Sequence, residues 1–328
     1  MRPYRDTMWL GGTFRLAPVL AAALALAVLA ACGEREEPSP ATGSTRDAER
    51  LAKRFDDRRA FADLRAQVRL GPRPAGSAAN RRLTAMLASR LRDAGARRVR
   101  VQRPHRNVVG VIPGPDPGAI VVGAHHDTKD DIPGFVGAND GASGVAVVLE
   151  LSRALRGRVE GPSIHLVLFD AEEARGDRPF TEDGTRGSAQ YVRYARAGGR
   201  QGSAPLAEIR AMTLFDLVAD CDLEIPLEAN SDGGLYDRFR KAALELDPGG
   251  GGEPFNGEAA AVLDDHVPFA EAGVPAVDLI DFRFGPGPSP GAWWHTAKDD
   301  VDRVCARSLG AVGRPATVAL AGSLIESP

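Results

Sequence analysis

Five side chains of the types that bind a divalent metal each follow an apolar run or stand at the entrance to a helix: His125, Asp140, Glu173, Asp216 and His295. Imidazole nitrogens and carboxylate oxygens are ligands of zinc in catalytic centres, where one coordination position stays open. A single residue of this kind is usually a solvated loop residue. Because sites gather at the carboxyl ends of strands in α/β folds, the set as a whole predicts a zinc centre.

Two adjacent carboxylates, Glu172 and Glu173, follow an apolar run over residues 164–169. Neighbouring side chains of an extended segment point in opposite directions. One carboxylate can therefore bind the metal while the other faces a substrate and moves a proton. A solvated acidic turn is the alternative, but the purely apolar strand that delivers the pair favours the catalytic interpretation.

The segments that must position these residues alternate between strand and helix patterns. Strands are predicted over residues 98–101, 108–112, 120–122, 164–169, 212–218 and 276–280. Helices are predicted over residues 47–68, 78–94, 143–155, 188–197 and 235–246, and near the C-terminus. Strands that are apolar throughout are typical of a sheet covered on both faces. The expected fold is therefore α/β, a single three-layer domain with a mixed, mostly parallel twisted sheet and helices on both faces.

The first 31 residues have the pattern of a bacterial signal peptide: arginines precede an apolar run that is short for a membrane-spanning helix. The run ends in Leu-Ala-Ala before Cys32, which resembles the lipobox of lipoproteins, with an ordinary signal peptide as the alternative. A polar stretch up to residue 46 predicts a flexible tether, and residues 47–328 then form the catalytic domain. Since Gly33 and not aspartate follows the cysteine, the expected location is the outer membrane, facing the periplasm.

Composition argues against nucleic acid as a partner but does not decide whether the cysteines form a disulfide. The chain has 41 Lys+Arg against 44 Asp+Glu, and no stretch combines basic with aromatic residues, so nucleic acid is not an expected partner. Cys221 and Cys305 are the only cysteines of the body. In an oxidising compartment they could pair, and two free buried thiols are equally compatible with the sequence.

From Arg73 to His295, the motifs resemble the zinc aminopeptidase family, number twenty-eight among the metallopeptidases, and more closely its glutaminyl cyclase branch. The resemblance implies one zinc ion on Asp140, Glu173 and His295. It implies a second ion on His125 and Asp216 in the aminopeptidases, with Asp140 bridging the two. Two further roles follow from it: Glu172 as the acid/base, and Asp127 as the carboxylate that orients the first histidine.

Three segments resemble the cyclase branch in particular: Phe-Asp-Leu-Val at 215–218, Leu-Asp-Asp-His-Val-Pro-Phe at 263–269, and Trp-His-Thr at 294–296. The resemblance implies a carboxylate network of Glu172, Asp216 and Asp264 around a reacting amine, in which close carboxylates share a proton. A helix cap is the alternative role for Asp264 and its neighbours. The aromatic residues expected to wall the substrate pocket are Trp294, Trp293 and Phe284, with Phe282 as the alternative to Phe284.

The implied activity is conversion of an N-terminal glutamine of a peptide to pyroglutamate with release of ammonia. A two-zinc aminopeptidase that hydrolyses the first peptide bond is the main alternative. A binding lipoprotein without activity is a third, although no ligand is broken. Two departures from the cyclases predict a more polar pocket: Ala-Arg-Gly-Asp-Arg at 174–178, where they carry a tryptophan, and Asp278, where they carry a histidine.

Overall fold

The computed structural model describes residues 40–249 and 252–322. The expected signal peptide and Cys32 lie outside these residues. The sheet, the helices and both hydrophobic cores lie within Ser39–Pro328, which forms one compact unit. All described elements of the fold therefore belong to this unit.

Within the described residues six strands form one open sheet, and each of them overlaps a run predicted from the sequence. They are β1 (Arg97–Val101), β2 (Val108–Ile112), β3 (Asp116–His125), β4 (Pro162–Phe169), β5 (Ile209–Asp216) and β6 (Ala276–Ile280). Their order is β1-β2-β4-β3-β5-β6. β2 is antiparallel to both β1 and β4, whereas the other pairs are parallel. The sheet is mixed and mostly parallel, as expected.

Helices cover both faces of the sheet. They are α1 (Pro40–Ala52), α2 (Asp57–Val68), α3 (Ala78–Asp93), α4 (Ser143–Ala154), α5 (Phe180–Asp183), α6 (Arg186–Arg196), α7 (Gly233–Leu246), α8 (Val267–Ala270) and α9 (Ala306–Gly322). One core joins the sheet to α2, α3, α4, α7 and α9. A smaller core joins the opposite face to α6 and α8.

The N-terminal helices differ from the prediction. Instead of one helix over residues 47–68 there are two, separated by a turn in which the side chain of Asp56 accepts the main-chain N–H of Arg59 at 3.0 Å and caps α2. In addition, α1 begins at Pro40, inside the segment expected to be a flexible tether. Ala48 and Ala52 of α1 are buried, so this helix is held by tertiary contacts that composition alone does not reveal.

The loop after β5 is joined to the segment before α9 by a disulfide between Cys221 and Cys305. The structure thus selects the paired state from the two alternatives that the sequence left open. Among the described residues, no helix combines the length and apolar character needed to cross a membrane.

α4 lies directly against β5 because its second residue is Gly144. A Cβ atom at this position would lie 1.9 Å from the carbonyl oxygen of Phe215. The glycine therefore permits a close approach that no larger residue allows. This approach matters for the site, because Asp140 just precedes α4 and Asp216 ends β5.

Candidate metal centre and substrate cavity

The ends of three parallel strands deliver the reactive side chains to one edge of the sheet. His125 is the last residue of β3, Asp216 is the last residue of β5, and Glu172 and Glu173 follow β4 after a short turn. Ala171 in that turn has a φ of 59°, a left-handed conformation that is costly for a residue with a side chain and is concentrated at functional sites. The turn redirects the chain so that both glutamates face the site.

One ligand set consists of Asp140, Glu173 and His295. The Nε2 atom of His295 lies 3.3 Å from Oδ2 of Asp140 and 3.3 Å from Oε1 of Glu173. These ligand atoms all lie within 4.8 Å of one another. Oε1 of Glu173 is buried and has no hydrogen-bond partner among the described residues. A buried oxygen without a partner is costly, and a cation at this point would satisfy it.

The second ligand set consists of His125, Asp140 and Asp216. Nε2 of His125 lies 3.2 Å from Oδ1 of Asp140 and 3.3 Å from Oδ1 of Asp216. Asp140 therefore turns one oxygen towards each set, which is the geometry of a bridging carboxylate. One imidazole and two carboxylates per set, all buried or half-buried, fit zinc.

Asp127 lies directly beneath the pair of glutamates. Its two oxygens accept the main-chain N–H groups of Glu172, at 3.1 Å, and Glu173, at 3.3 Å. Its Oδ1 atom is 3.7 Å from Nδ1 of His125, which is close enough for charge attraction but too long for a hydrogen bond. Asp127 thus fixes the turn that carries the glutamates and faces the first histidine.

Two further buried residues hold the ligand loops, and sequence reasoning missed both. Arg73 is fully buried and donates to the carbonyl oxygens of His126, at 3.1 Å, Val136, and Gly137, at 2.8 Å. Burial lowers the pKa of Arg73 to about 10, with the charge of Asp299 as the largest opposing influence. The guanidinium group ties the loop after β3 to the loop before Asp140.

Asp299 also holds the loop that carries Asp140, by accepting hydrogen bonds from its main chain. Its carboxylate accepts the N–H of Asn139 at 2.7 Å and that of Asp140 at 3.0 Å. Burial raises the pKa of Asp299, while these two N–H donors and the charge of Arg73 oppose the shift. The only sequence signal for Asp299 was its position four residues after the predicted ligand His295.

A cavity of about 570 Å³ opens beside the ligand sets. Glu172, Asp216 and Asp264 line one side of it, and Trp294 and Phe282 line another. The ring of Trp294 stacks on His295 with the centroids 3.8 Å apart, and Phe282 meets Trp294 edge-on at 5.3 Å. The cavity therefore combines an acidic side with an aromatic wall next to the candidate metal ligand His295.

The other two aromatic residues predicted for the pocket do not line this cavity. Phe284 is fully buried in the core. It packs edge-on against Trp293 at a centroid distance of 5.5 Å, and Arg303 covers the Trp293 ring at 4.8 Å. The aromatic wall thus comes from Phe282 instead of Phe284, and Trp293 has a packing role.

The buried carboxyl groups in and near the acidic side of the cavity have raised pKa values. Burial raises the pKa of Asp264 to about 7, and the charge of Asp216 adds to the shift. Burial likewise raises the pKa of Glu172 well above its usual range, although the charge of His125 opposes this. Burial and the charge of Asp264 also raise the pKa of Asp278. Neighbouring carboxyl groups that cannot all ionise are suited to share and pass on a proton.

The rim of the cavity is polar where the sequence departs from the cyclases. Gly176, Asp177 and Arg178 line it. Lys129 donates to the carbonyl oxygens of Ala174 and Gly176, the latter at 2.6 Å. The segment that lacks the cyclase tryptophan is therefore held in place by a lysine and presents charged groups at the cavity mouth.

Comparisons with known proteins agree with this geometry. The crystal structure of an Acidobacteriales bacterium glutaminyl cyclase superposes with a TM-score of 0.70 at 31% identity, covering 81% of this chain and 94% of that one. A glutaminyl-peptide cyclotransferase of Boiga irregularis is 27% identical over 213 residues, which are 56% of each chain. Aminopeptidase YwaD of Bacillus subtilis is 26% identical over 218 residues, 62% of this chain and 41% of the relative.

The region shared with these two sequence relatives spans about half of their length. A model of peptidase family M28 matches residues 107–319. This range covers more than half of the chain and includes every residue of both ligand sets. The chain belongs to peptidase family M28.

Proposed function

We propose that the chain is a zinc-dependent enzyme that acts on the amino-terminal residue of peptides and cyclises N-terminal glutamine. The observation that carries this proposal is the cavity itself, where Glu172 and Asp264 face an aromatic wall beside the set Asp140, Glu173 and His295. Aromatic walls beside a metal centre suit a single amino-acid side chain. The likeness to glutaminyl cyclases supports the same reaction.

The reaction needs one bond formed, one broken and one proton moved. The α-amine of the substrate attacks the side-chain amide carbon, the carbon–nitrogen bond of that amide breaks, and ammonia leaves. Glu172 takes the proton from the attacking amine and delivers it to the departing nitrogen. Zinc held by Asp140, Glu173 and His295 would polarise the amide oxygen and stabilise the charge that develops there.

The residues around Glu172 support this role. Asp264 and Asp216 line the cavity beside it. Burial and the charges of Glu173 and Asp264 disfavour a free carboxylate at Glu172, although the charge of His125 opposes this. A proton taken from the amine is therefore retained until the leaving nitrogen accepts it. Transfer of this kind typically accelerates a reaction by about 10²–10⁴-fold.

A second candidate function is an aminopeptidase that uses two zinc ions. The specific observation in its favour is that His125 and Asp216 complete a second ligand set on Asp140. In that reaction Glu172 would deprotonate a water molecule that attacks the first peptide bond. The likeness to aminopeptidase YwaD supports this alternative.

Peptides that begin with glutamine or with leucine separate the two functions. Release of ammonia from the glutamine peptide without chain cleavage supports the cyclase, and release of a free amino acid supports the aminopeptidase. Glu172→Gln is expected to lose about 10²–10⁴-fold in turnover while its zinc content is unchanged. Glu182→Gln, at an exposed position of α5, is the matched control. Normal turnover by Glu172→Gln would refute the proton-transfer role.

We further propose that the chain is a lipoprotein, acylated at Cys32 and held at the outer membrane facing the periplasm. The support is the sequence of the first 33 residues. Labelling of the intact chain with a radioactive fatty acid, and its loss in Cys32→Ala, would test the anchor. Labelling that persists in the variant would contradict it.

A further inference from the structure

Two segments that are far apart in the sequence contain arginines but no acidic residue. Residues 94–115 carry five arginines and residues 187–207 carry three, and neither segment contains Asp or Glu. The whole chain has a net charge of −3, so the rest of the molecule is acidic. The charge is therefore segregated along the chain.

The fold brings these two segments together on one surface. Tyr194 of α6 donates its hydroxyl hydrogen to the carbonyl oxygen of Arg103. The side-chain oxygen of Gln201 accepts the N–H of Arg103 at 2.9 Å. Arg193 lies over the ring of Tyr194 at 5.8 Å. The arginine-bearing stretches 97–106 and 193–200 thus form a continuous surface, here called the basic face.

The arginines of the basic face are exposed and have no carboxylate partner. Seven of the eight are exposed, and Arg106 is half-buried. Among the residues that the structure describes, none of the eight side chains forms an ion pair, although many other arginines of the chain do. Charged residues on β1 alone would serve to protect an edge strand from pairing. Arg193, Arg196 and Arg200 do not belong to a strand, so edge protection does not account for them.

A shallow hollow of about 610 Å³, whose wall contains both apolar side chains and polar atoms, borders the basic face. Pro205, Leu206, Ile209 and Val274 line it, and Arg196 is its only charged lining residue. Phosphate groups match unpaired guanidinium groups, whereas the apolar side chains of the hollow can contact hydrocarbon. A surface that offers both side by side matches the headgroup and the upper acyl region of an anionic lipid.

We propose that the basic face docks the protein on an anionic phospholipid membrane. Juxtaposed arginines are attracted to such a surface over about one Debye length. None of the residues that line the substrate cavity belongs to either arginine segment, so docking leaves the cavity open to peptides. The proposal is independent of the reaction catalysed and of acylation at Cys32.

Vesicle flotation with the compact unit Ser39–Pro328, which lacks the leader and Cys32, tests this docking directly. The protein is expected to float with vesicles of phosphatidylcholine containing about one third phosphatidylglycerol, and not with phosphatidylcholine alone. Each arginine at the surface contributes about fivefold to partitioning. The double variants Arg100→Gln/Arg103→Gln and Arg193→Gln/Arg196→Gln are therefore each expected to bind about 25-fold more weakly.

The control is Arg240→Gln/Lys241→Gln, two exposed residues of α7, which packs against β6 at the other end of the sheet. It removes the same charge and is expected to bind as the parent does. Equal binding of the parent to neutral vesicles, or an equal loss in the control, would overturn the proposal. Soluble polyphosphate provides a third arm. Retention of polyphosphate without vesicle binding would identify a soluble polyanion as the partner and also overturn it.

Discussion

Asp299 holds the main chain of Asp140, the candidate bridging ligand, and belongs to neither ligand set. Replacing it by asparagine tests whether this support positions the ligands before zinc binds. In the parent, both oxygens accept main-chain N–H groups, from Asn139 at 2.7 Å and from Asp140 at 3.0 Å. An asparagine of the same shape keeps one acceptor oxygen and turns its NH₂ group towards the other N–H. One charge-assisted hydrogen bond is lost, and one buried donor loses its partner.

The cost follows from these two changes. Because burial raises the pKa of Asp299 to about 8, its carboxyl group is mostly charged only above that pH, where a hydrogen bond to it contributes about 2 kcal/mol and an unsatisfied buried N–H adds about 1 kcal/mol or more. Asp299→Asn is therefore expected to lower the free energy of unfolding by about 3 kcal/mol. For a domain of this size, the midpoint of thermal unfolding falls by about 6 °C. Because the N–H of Asp140 is released, the affinity for zinc is expected to fall about 10- to 100-fold.

Thermal unfolding of the metal-free protein and competition for zinc with a chelator measure the two effects separately. Asp302→Asn is the control, since Asp302 is exposed and lies three residues away. It makes the same chemical change and is expected to leave both quantities unaltered. A variant at position 299 that binds zinc as tightly as the parent would refute the argument that the carboxylate holds the bridging ligand in place.

Three further predictions concern stability, each measured by denaturant unfolding. Replacing Cys221 by serine opens the 84-residue separation to Cys305 and is expected to cost about 4.5 kcal/mol by loop entropy, an effect that a reductant should reproduce in the parent only. Gly144→Ala places a methyl group 1.9 Å from the carbonyl oxygen of Phe215 and is expected to cost about 3 kcal/mol; a stable variant would contradict the close approach of α4. Burial raises the pKa of Glu228, but its hydrogen bonds outweigh this effect and lower the pKa from 4.5 to about 2. The ionised Glu228 therefore adds about 3 kcal/mol to the free energy of unfolding above pH 4.5, and this contribution is lost as the pH falls through 2. In Glu228→Gln, the free energy of unfolding should depend less on pH below 4.5 than in the parent.

Much of the fold followed from the sequence because the central strands are largely apolar. A buried parallel strand needs apolar residues on both faces, and this requirement marked β3, β4, β5 and β6. Helices were less completely predicted. α5 and α8 have four residues each, which is too short for a 3.6-residue period to be visible. α1 depends on contacts with distant helices, which cannot be deduced from its local composition.

Three of the candidate ligand positions, His125, Glu173 and Asp216, followed from the sequence for a similar reason. The parallel arrangement makes the ends of β3, β4 and β5 neighbours, so residues at or just after strand ends meet without any knowledge of loop paths. Asp140 and His295 lie in loops, and the family resemblance implied their place in the ligand sets. No such rule applies to residues in irregular segments. Arg73 acts by donating to three main-chain oxygens, and nothing in its local sequence distinguishes it from an exposed arginine. The choice between Phe282 and Phe284 failed because the alternation of side chains ends with β6.

The basic face was not predicted from the sequence, because it consists of two segments about ninety positions apart. Each segment alone has too few charges to differ from an ordinary surface. They become a single surface only where α6 reaches β1, through the contacts of Tyr194 and Gln201 with Arg103. Surface properties that arise from tertiary contacts need the fold before the charge pattern can be interpreted.

The two ligand sets form one structural unit, because both depend on Asp140, but they are not equivalent. Oε1 of Glu173 has no hydrogen-bond partner among the described residues, whereas Oδ1 of Asp216 already accepts the N–H of Leu217 at 2.9 Å. A carboxylate oxygen has two lone pairs, so this hydrogen bond leaves Asp216 able to bind a cation as well. The two sets differ in what a cation would relieve, because only at the set Asp140, Glu173 and His295 would it satisfy a buried carboxylate oxygen that otherwise has no partner. Both candidate reactions need that set, and a second ion on His125 and Asp216 would be needed only for the aminopeptidase.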